Sequence, residues 1–222
     1  MFVSWRCSTY GREEFVPEII EMFFTQDYKG KSELVILNDD PDIKYVFDHP
    51  DVRIYNWNQR FVNLRKKQNV CVGLCKGEVF IPIADDDLYA PWTTRTCAGA
   101  IGNDPLVAFS GFWKHSKNKD LHRRRECVAG LYACRTDFFK EFGGYQEWCQ
   151  SSLAKGEYKL AAENFVQRVR EAGYYKERKL VNTEIFFTWR RGFADHSMWN
   201  ITPKTQPDKY VVKDRDPKII RL

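Results

Sequence analysis

Short apolar runs alternate with helical stripes through the first half of this chain, and that order leaves few folds open. Residues 2–7 read as a strand. Val16, Ile19, Ile20 and Phe23 then recur at i, i+3, i+4 and i+7, the spacing that lines one face of an α-helix. Pro17 suits that helix only in its opening turn, where its missing N–H is not needed. Gln26-Asp27-Tyr28-Lys29-Gly30 closes the helix, Glu33–Leu37 is a second strand ended by Asn38-Asp39-Asp40-Pro41, and Val52–Tyr55 is a short third. A helix through Leu64, Cys71, Leu74 and Cys75 is expected to stop at Gly77 as a left-handed cap, ahead of the apolar run 78–84. The alternation predicts an α/β protein with a mostly parallel sheet and helices on both faces. In such sheets ligands collect beyond the carboxyl ends of the strands.

Asp39, Asp40 and the triplet Asp85-Asp86-Asp87 all fall at such ends. Three adjacent carboxylates at the mouth of a buried strand repel one another, and each is partly desolvated. A divalent cation would neutralise them, and hard oxygen donors on one loop suit Mg²⁺ or Mn²⁺. The triplet alone fits equally well an acidic turn capping a helix that begins near Pro91. The convergence of five acids on one crevice favours the cation.

Beyond the triplet, a helix near 91–101 leads to a strand Leu106–Phe112, a basic segment, and a strand Cys127–Cys134. A helix from about Thr136 ends at Gly143-Gly144-Tyr145, and another carries Ala162, Phe165, Val166 and Val169 on one face with Glu163 beside them. Residues 203–222, with three prolines among alternating charges, read as a mostly irregular tail. The expected organisation is one domain over 1–202, divided near residue 90 into two functional halves, plus the tail.

The chain has 222 residues with 43% hydrophobic and 15% aromatic content, enough for one well-cored domain and unlike a disordered chain. No apolar run approaches the roughly 20 residues that span a bilayer, and the start lacks the layout of a signal peptide. Seven cysteines, none spaced Cys-x-x-Cys, predict a reduced, cytoplasmic protein without a zinc site. The net charge of +5 is concentrated in Lys114, Lys117, Lys119, Arg123, Arg124 and Arg125. That cluster is either a solvated hairpin tip or a surface that holds a polyanion.

Five segments, in this order, resemble the family 2 glycosyltransferases of the GT-A fold over most of residues 2–200. They are Ser8-Thr9-Tyr10-Gly11-Arg12, Glu33 through Asp40 preceded by Gln26-Asp27-Tyr28, Lys76 through Asp87, Gly143-Gly144-Tyr145, and Ala162-Glu163-Asn164. The resemblance implies a Rossmann-like mixed sheet and transfer of a sugar from a nucleoside diphosphate, with a UDP-sugar as donor and Mn²⁺ or Mg²⁺ as cofactor. It assigns Thr9, Tyr10, Arg12, Asp39 and Asp40 to the base and ribose, and Arg65, Lys66 and Asp85 to the nucleotide. Asp86 or Asp87 would bind the metal, completed by His196, with Arg190 and Arg191 on the leaving diphosphate.

Two positions depart from the family pattern. Ala84 stands where the acidic motif usually opens with aspartate, and Glu163-Asn164 replaces the usual Glu-Asp. An amide such as Asn164 accepts no proton at neutral pH. Either Glu163 is the base, or Glu157 serves, or the reaction retains configuration and needs none here. Gly143, Gly144, Tyr145, Trp113, Arg123 and Arg124 are the candidate acceptor residues. Trp113, Trp148 and Trp189 are either stacking platforms or core. The acceptor would be a glycan, a protein or a hydroxymethylated base in DNA. The other open function is a degenerate protein of the same fold that binds UDP-sugars without turning them over. Oligomeric state has no sequence signal.

Overall fold

A computed structural model of the chain describes residues 1–116, 119–146, 161–191 and 217–222. Four parallel strands form its first half: β1 (Val3–Thr9), β2 (Ser32–Asn38), β4 (Val52–Asn56) and β5 (Val79–Ile83), in spatial order β4-β2-β1-β5. β8 (Lys119–Arg135) adds antiparallel to β5, and β7 (Leu106–Ser116) antiparallel to β8. The far edge of β7 takes β9 (Lys176–Lys179) and then β10 (Phe187–Arg191), both parallel to it. β6 (Leu88–Tyr89) closes the sheet against β10. The result is the mixed, mostly parallel sheet expected from the alternation.

Period-2 alternation along the inner strands builds a core on each face. Val3, Trp5 and Cys7 of β1 and Val79, Ile81 and Ile83 of β5 point into one core. That core is covered by α1 (Phe15–Phe24) and α3 (Thr93–Ile101). Val35, Leu37 and Phe80 point into the other core, under α2 (Leu64–Leu74), α4 (Thr136–Glu141) and α5 (Ala161–Glu171). Cys71 and Cys75 are buried and unpaired, as small hydrophobes would be. Among the described residues no helix is long and apolar enough to cross a membrane.

Two sequence expectations need correction. α2 ends at Leu74, three residues before Gly77, because Arg53 from β4 donates to Leu74 O at 2.7 Å and caps the helix from outside. Gly77 is instead required by close approach. A Cβ there would meet Ser4 Oγ at 2.6 Å and Ser4 N at 2.7 Å, and Gly77 N–H donates to Ser4 Oγ at 2.8 Å. The strand expected over Cys127–Cys134 begins at Lys119, so much of the basic segment lies on the arms of a β7–β8 hairpin. Of the tail expected to be mostly irregular, residues 203–216 lie outside the described residues, and Lys218–Arg221 form β11, which pairs in parallel with β3 (Ile43–Val46). β6 has only two residues and β9 is wholly charged, so neither shows an apolar alternation.

Gly77→Ala should therefore destabilise the chain by about 1–3 kcal/mol through overpacking. Gly99→Ala, on the exposed side of α3 with open space around it, should stabilise by about 0.5–1 kcal/mol. Urea denaturation of the two variants checks the contrast, and equal midpoints would contradict it.

Candidate functional site

Neighbouring strands deliver three loops to one place. Thr9 lies opposite Asn38 in the β1–β2 register and Cys7 opposite Ile83 in β1–β5, so the residues after all three strands emerge side by side. β1 is the point where the chain turns from building one side of the sheet to building the other, the position where open α/β sheets bind ligands.

The loop after β1 turns sharply at Gly11, with φ 60°, and carries Arg12 over the end of β5. The Arg12 guanidinium pairs with Asp85 and lies 3.2 Å from Asp86 Oδ2. Asp85 and Asp87 are buried, while Asp86 is partly open to solvent. Asp87 Oδ1 accepts the backbone N–H of Arg190 at 2.9 Å. The Arg190 side chain donates to Asp86 O at 2.6 Å, to Glu18 Oε2 at 2.8 Å, and covers the Phe15 ring. Two arginines from opposite ends of the chain thus hold the triplet's backbone and side chains in place.

The charge remains unbalanced. Burial raises the Asp85 carboxyl, and Arg12 only partly reverses that. Burial and the adjacent Asp86 push Asp87 well above the usual carboxylate range. Asp85 Oδ2, Thr9 Oγ1 and Ser8 Oγ are buried without hydrogen-bond partners of ordinary geometry. Crowded anionic oxygens and unmet polar atoms are the donor set that a hard divalent cation and a polar ligand would satisfy. Among the described residues no three His, Cys, Asp or Glu side chains converge to hold a metal ion alone. A cation here would rest on Asp86 and Asp87 and need further ligands beyond them.

The second acidic end is organised differently. Asp39 is buried, paired with Lys67 and accepting Phe61 N–H at 2.9 Å at its other oxygen. Lys67 Nζ also donates to Thr9 O at 2.6 Å. Asp39 therefore ties α2 and the 57–61 loop to the sheet, and Asp40 is buried beside it with no ion-pair partner of its own among the described residues. Asp40 Oδ1 accepts Asp42 N–H at 2.9 Å, its Oδ2 lies 3.5 Å from where a Gly11 Cβ would be, and burial raises its carboxyl. Beside it the Arg60 guanidinium stacks over the Tyr10 ring at 4.1 Å.

Other sequence candidates scatter. Lys66 is exposed, and it is Lys67 that reaches the site. Lys67, Cys71 and Cys75 fall at i, i+4 and i+8, so the stripe that marked the cysteines as buried also marks this lysine. Arg65 donates to Gln146 O at 2.9 Å. Tyr145 is buried, its hydroxyl against Tyr132 and 3.3 Å from Arg6 Nη2, so it is a core residue with no face for an acceptor. Gly143 and Gly144, with φ of 82° and 58°, end α4 in left-handed turns. Trp113 is half-buried on β7, Arg123 and Arg124 are exposed on β8, and Lys114 Nζ sits 5.1 Å from the Trp189 ring centroid. Glu163 and Asn164 lie in the first turn of α5, and Arg191 ends β10. His196, Glu157 and Trp148 lie outside the described residues.

No family model and no curated protein matches the chain. Solved structures do. S. aureus TarS 1–349 in complex with UDP superposes with a TM-score of 0.62 at 13% identity, over 86% of this chain and 60% of that one. The mannosyltransferase PcManGT from Pyrobaculum calidifontis, in complex with GDP-Man and Mn²⁺, gives 0.60 at 13% identity over 89% and 59%. CMP:2-keto-3-deoxy-manno-octonic acid synthetase complexed with CTP gives 0.51 at 12% identity over 81% and 89%. The chain spans about three fifths of the length of the two transferases. The likeness bears out the GT-A, Rossmann-like fold that the sequence resemblance implied.

Removing one partner of the buried Lys67–Asp39 pair strands a charge, so Lys67→Met should cost about 3–5 kcal/mol. Lys66→Met, on the exposed neighbour, should cost less than about 0.5 kcal/mol. Denaturant midpoints of both variants read this directly, and a larger loss at Lys66 would overturn the assignment.

Proposed function

We propose that this chain is a glycosyltransferase that moves a sugar from a nucleoside diphosphate sugar, a UDP-sugar by preference, to an acceptor hydroxyl. The observation that carries the proposal is the charge-unbalanced triplet Asp85-Asp86-Asp87 at the switch point of a GT-A sheet. Solved structures of similar fold that contain UDP, UDP-GlcNAc, or GDP-Man with Mn²⁺ support the donor class. The order of motifs supports membership of family 2. The five buried, unpaired cysteines among the described residues support a reducing, cytoplasmic compartment.

In this mechanism Tyr10, stacked under Arg60, and Asp40 line the nucleoside end, where a carboxylate suits the N–H of uracil and the ribose hydroxyls. Asp86 and Asp87 would hold the divalent cation, which when bound offsets negative charge on the diphosphate. Arg12 and Arg190 keep those carboxylates from moving apart, so little reorganisation accompanies the reaction. The bond between the anomeric carbon and the diphosphate oxygen breaks, and its electron pair leaves with UDP. The acceptor oxygen forms the new bond and its proton passes to a carboxylate, for which Glu163 on α5 is the proposed base. Arg191 and His196 stay as proposed contributors to diphosphate and metal binding.

Incubation with a panel of sugar nucleotides and Mn²⁺ should release UDP from at least one donor, and UDP with Mn²⁺ should raise the melting temperature. Asp86→Ala should lower turnover about 100-fold or more while leaving the fold intact. A melting shift without UDP release from any donor would identify a degenerate binder, and neither response would remove the proposal.

A further inference from the structure

A groove of about 560 Å³ runs along the sheet edge formed by β6 and β10. Trp92 and Trp113 line it with Leu88, Thr188, Asn182 and Thr183, and none of its described lining residues carries a charge. Leu88, Thr188 and Trp113 occupy one row across β6, β10 and β7, so they present side chains on one face of the sheet. The walls are fixed from behind. Trp92 Nε1 donates to Glu184 O at 3.3 Å, Ala90 N to Phe186 O at 2.8 Å, and Thr93 Oγ1 to Ala90 O at 2.7 Å. The side-chain amide of Asn182 and the hydroxyls of Thr183 and Thr188 make no hydrogen bond within the described protein, and Asn182 and Thr183 are exposed.

We propose that this groove is the acceptor subsite and that it takes an uncharged saccharide. Aromatic rings offer apolar faces to the C–H side of a sugar ring, and unpaired amide and hydroxyl groups answer its hydroxyls. The volume suits one or two sugar units within the range of small-ligand sites. A polyanion would find no cation among the described lining residues, and Lys114 and Arg123 fall outside them. The groove also abuts the acids. Leu88 follows Asp87 directly, and Arg190, whose N–H holds Asp87, lies two residues beyond Thr188, roughly 7 Å along the strand. The acceptor role rests on the transferase proposal; the saccharide site itself does not.

The test is titration of the full chain, without nucleotide, with neutral β-linked and α-linked oligosaccharides of glucose, galactose and N-acetylglucosamine, followed by tryptophan fluorescence and NMR. One of the panel should bind, and Trp113→Ala should weaken that binding at least 10-fold. Thr183→Glu, a change at the exposed rim that leaves the core untouched, should weaken it similarly. Three results would overturn the groove assignment. One is no saccharide binding by a wild type that still shows a melting shift with UDP. Another is undiminished binding in both variants. The third is binding of duplex DNA, steeply salt-dependent, that is lost in Trp113→Ala. Saccharide binding by a chain that gives no response to UDP would uphold the groove and remove the nucleotide-sugar proposal instead.

Discussion

Negative charge forced out of water at the end of β5 organises this molecule. Val79–Ile83 is a fully buried strand, and the chain leaves it through three consecutive aspartates, two of them buried. Such a cluster survives only if cations or donors reach it from every side. Arg12 arrives from β1, and the backbone and guanidinium of Arg190 arrive from β10. Because Arg190 also reaches Glu18 on α1, the triplet couples the first helix, the inner sheet and the last long strand. What remains uncompensated after these contacts is the basis of the proposal that the triplet binds a cation and a diphosphate.

The rest of the sheet supplies rigidity for that arrangement. At the opposite end of the strands, Glu33 accepts Ser4 Oγ at 2.6 Å, Lys76 N at 2.6 Å, and the Arg53 guanidinium, whose Nη2 lies 2.6 Å away. This satisfied polar network fixes β1, β2, β4 and the exit of α2 relative to one another, which sets the register at the other end. Lys67 and Asp39 do the same near the site. The carboxylates proposed to meet ligand are therefore different from the carboxylates that hold the frame, although both kinds follow strand ends.

Much of the frame was legible because its signals are periodic. The stripe of α1, the apolar runs of β1, β2 and β5, and the acids at their ends predict the parallel half and its crevice. The rest depends on tertiary contact. Lys176–Lys179 and Lys218–Arg221 carry charges where strands usually carry apolar residues, and they become strands only through pairing with β7 and β3. Gly77 signals a turn in sequence, yet its role is to let α2's exit pass close to Ser4. Adjacent residues also trade roles: Lys67 rather than Lys66 enters the site, and Asp39 rather than Asp40 is taken up by the Lys67 pair. The helical stripe resolves the first of these, whereas the second rests on the partners of Asp39, which no spacing reveals. Tyr145, implied near the acceptor by resemblance, is held in the core by Tyr132 and Arg6.

Electron paramagnetic resonance of Mn²⁺ titrated into the chain, with and without UDP, tests the central claim most directly. The free Mn²⁺ signal should fall stoichiometrically with protein when UDP is present, and should stay at its protein-free intensity in Asp86→Ala. A free signal unchanged by the wild-type chain, or diminished equally by the variant, would show that the aspartates after β5 hold no cation and would contradict the account.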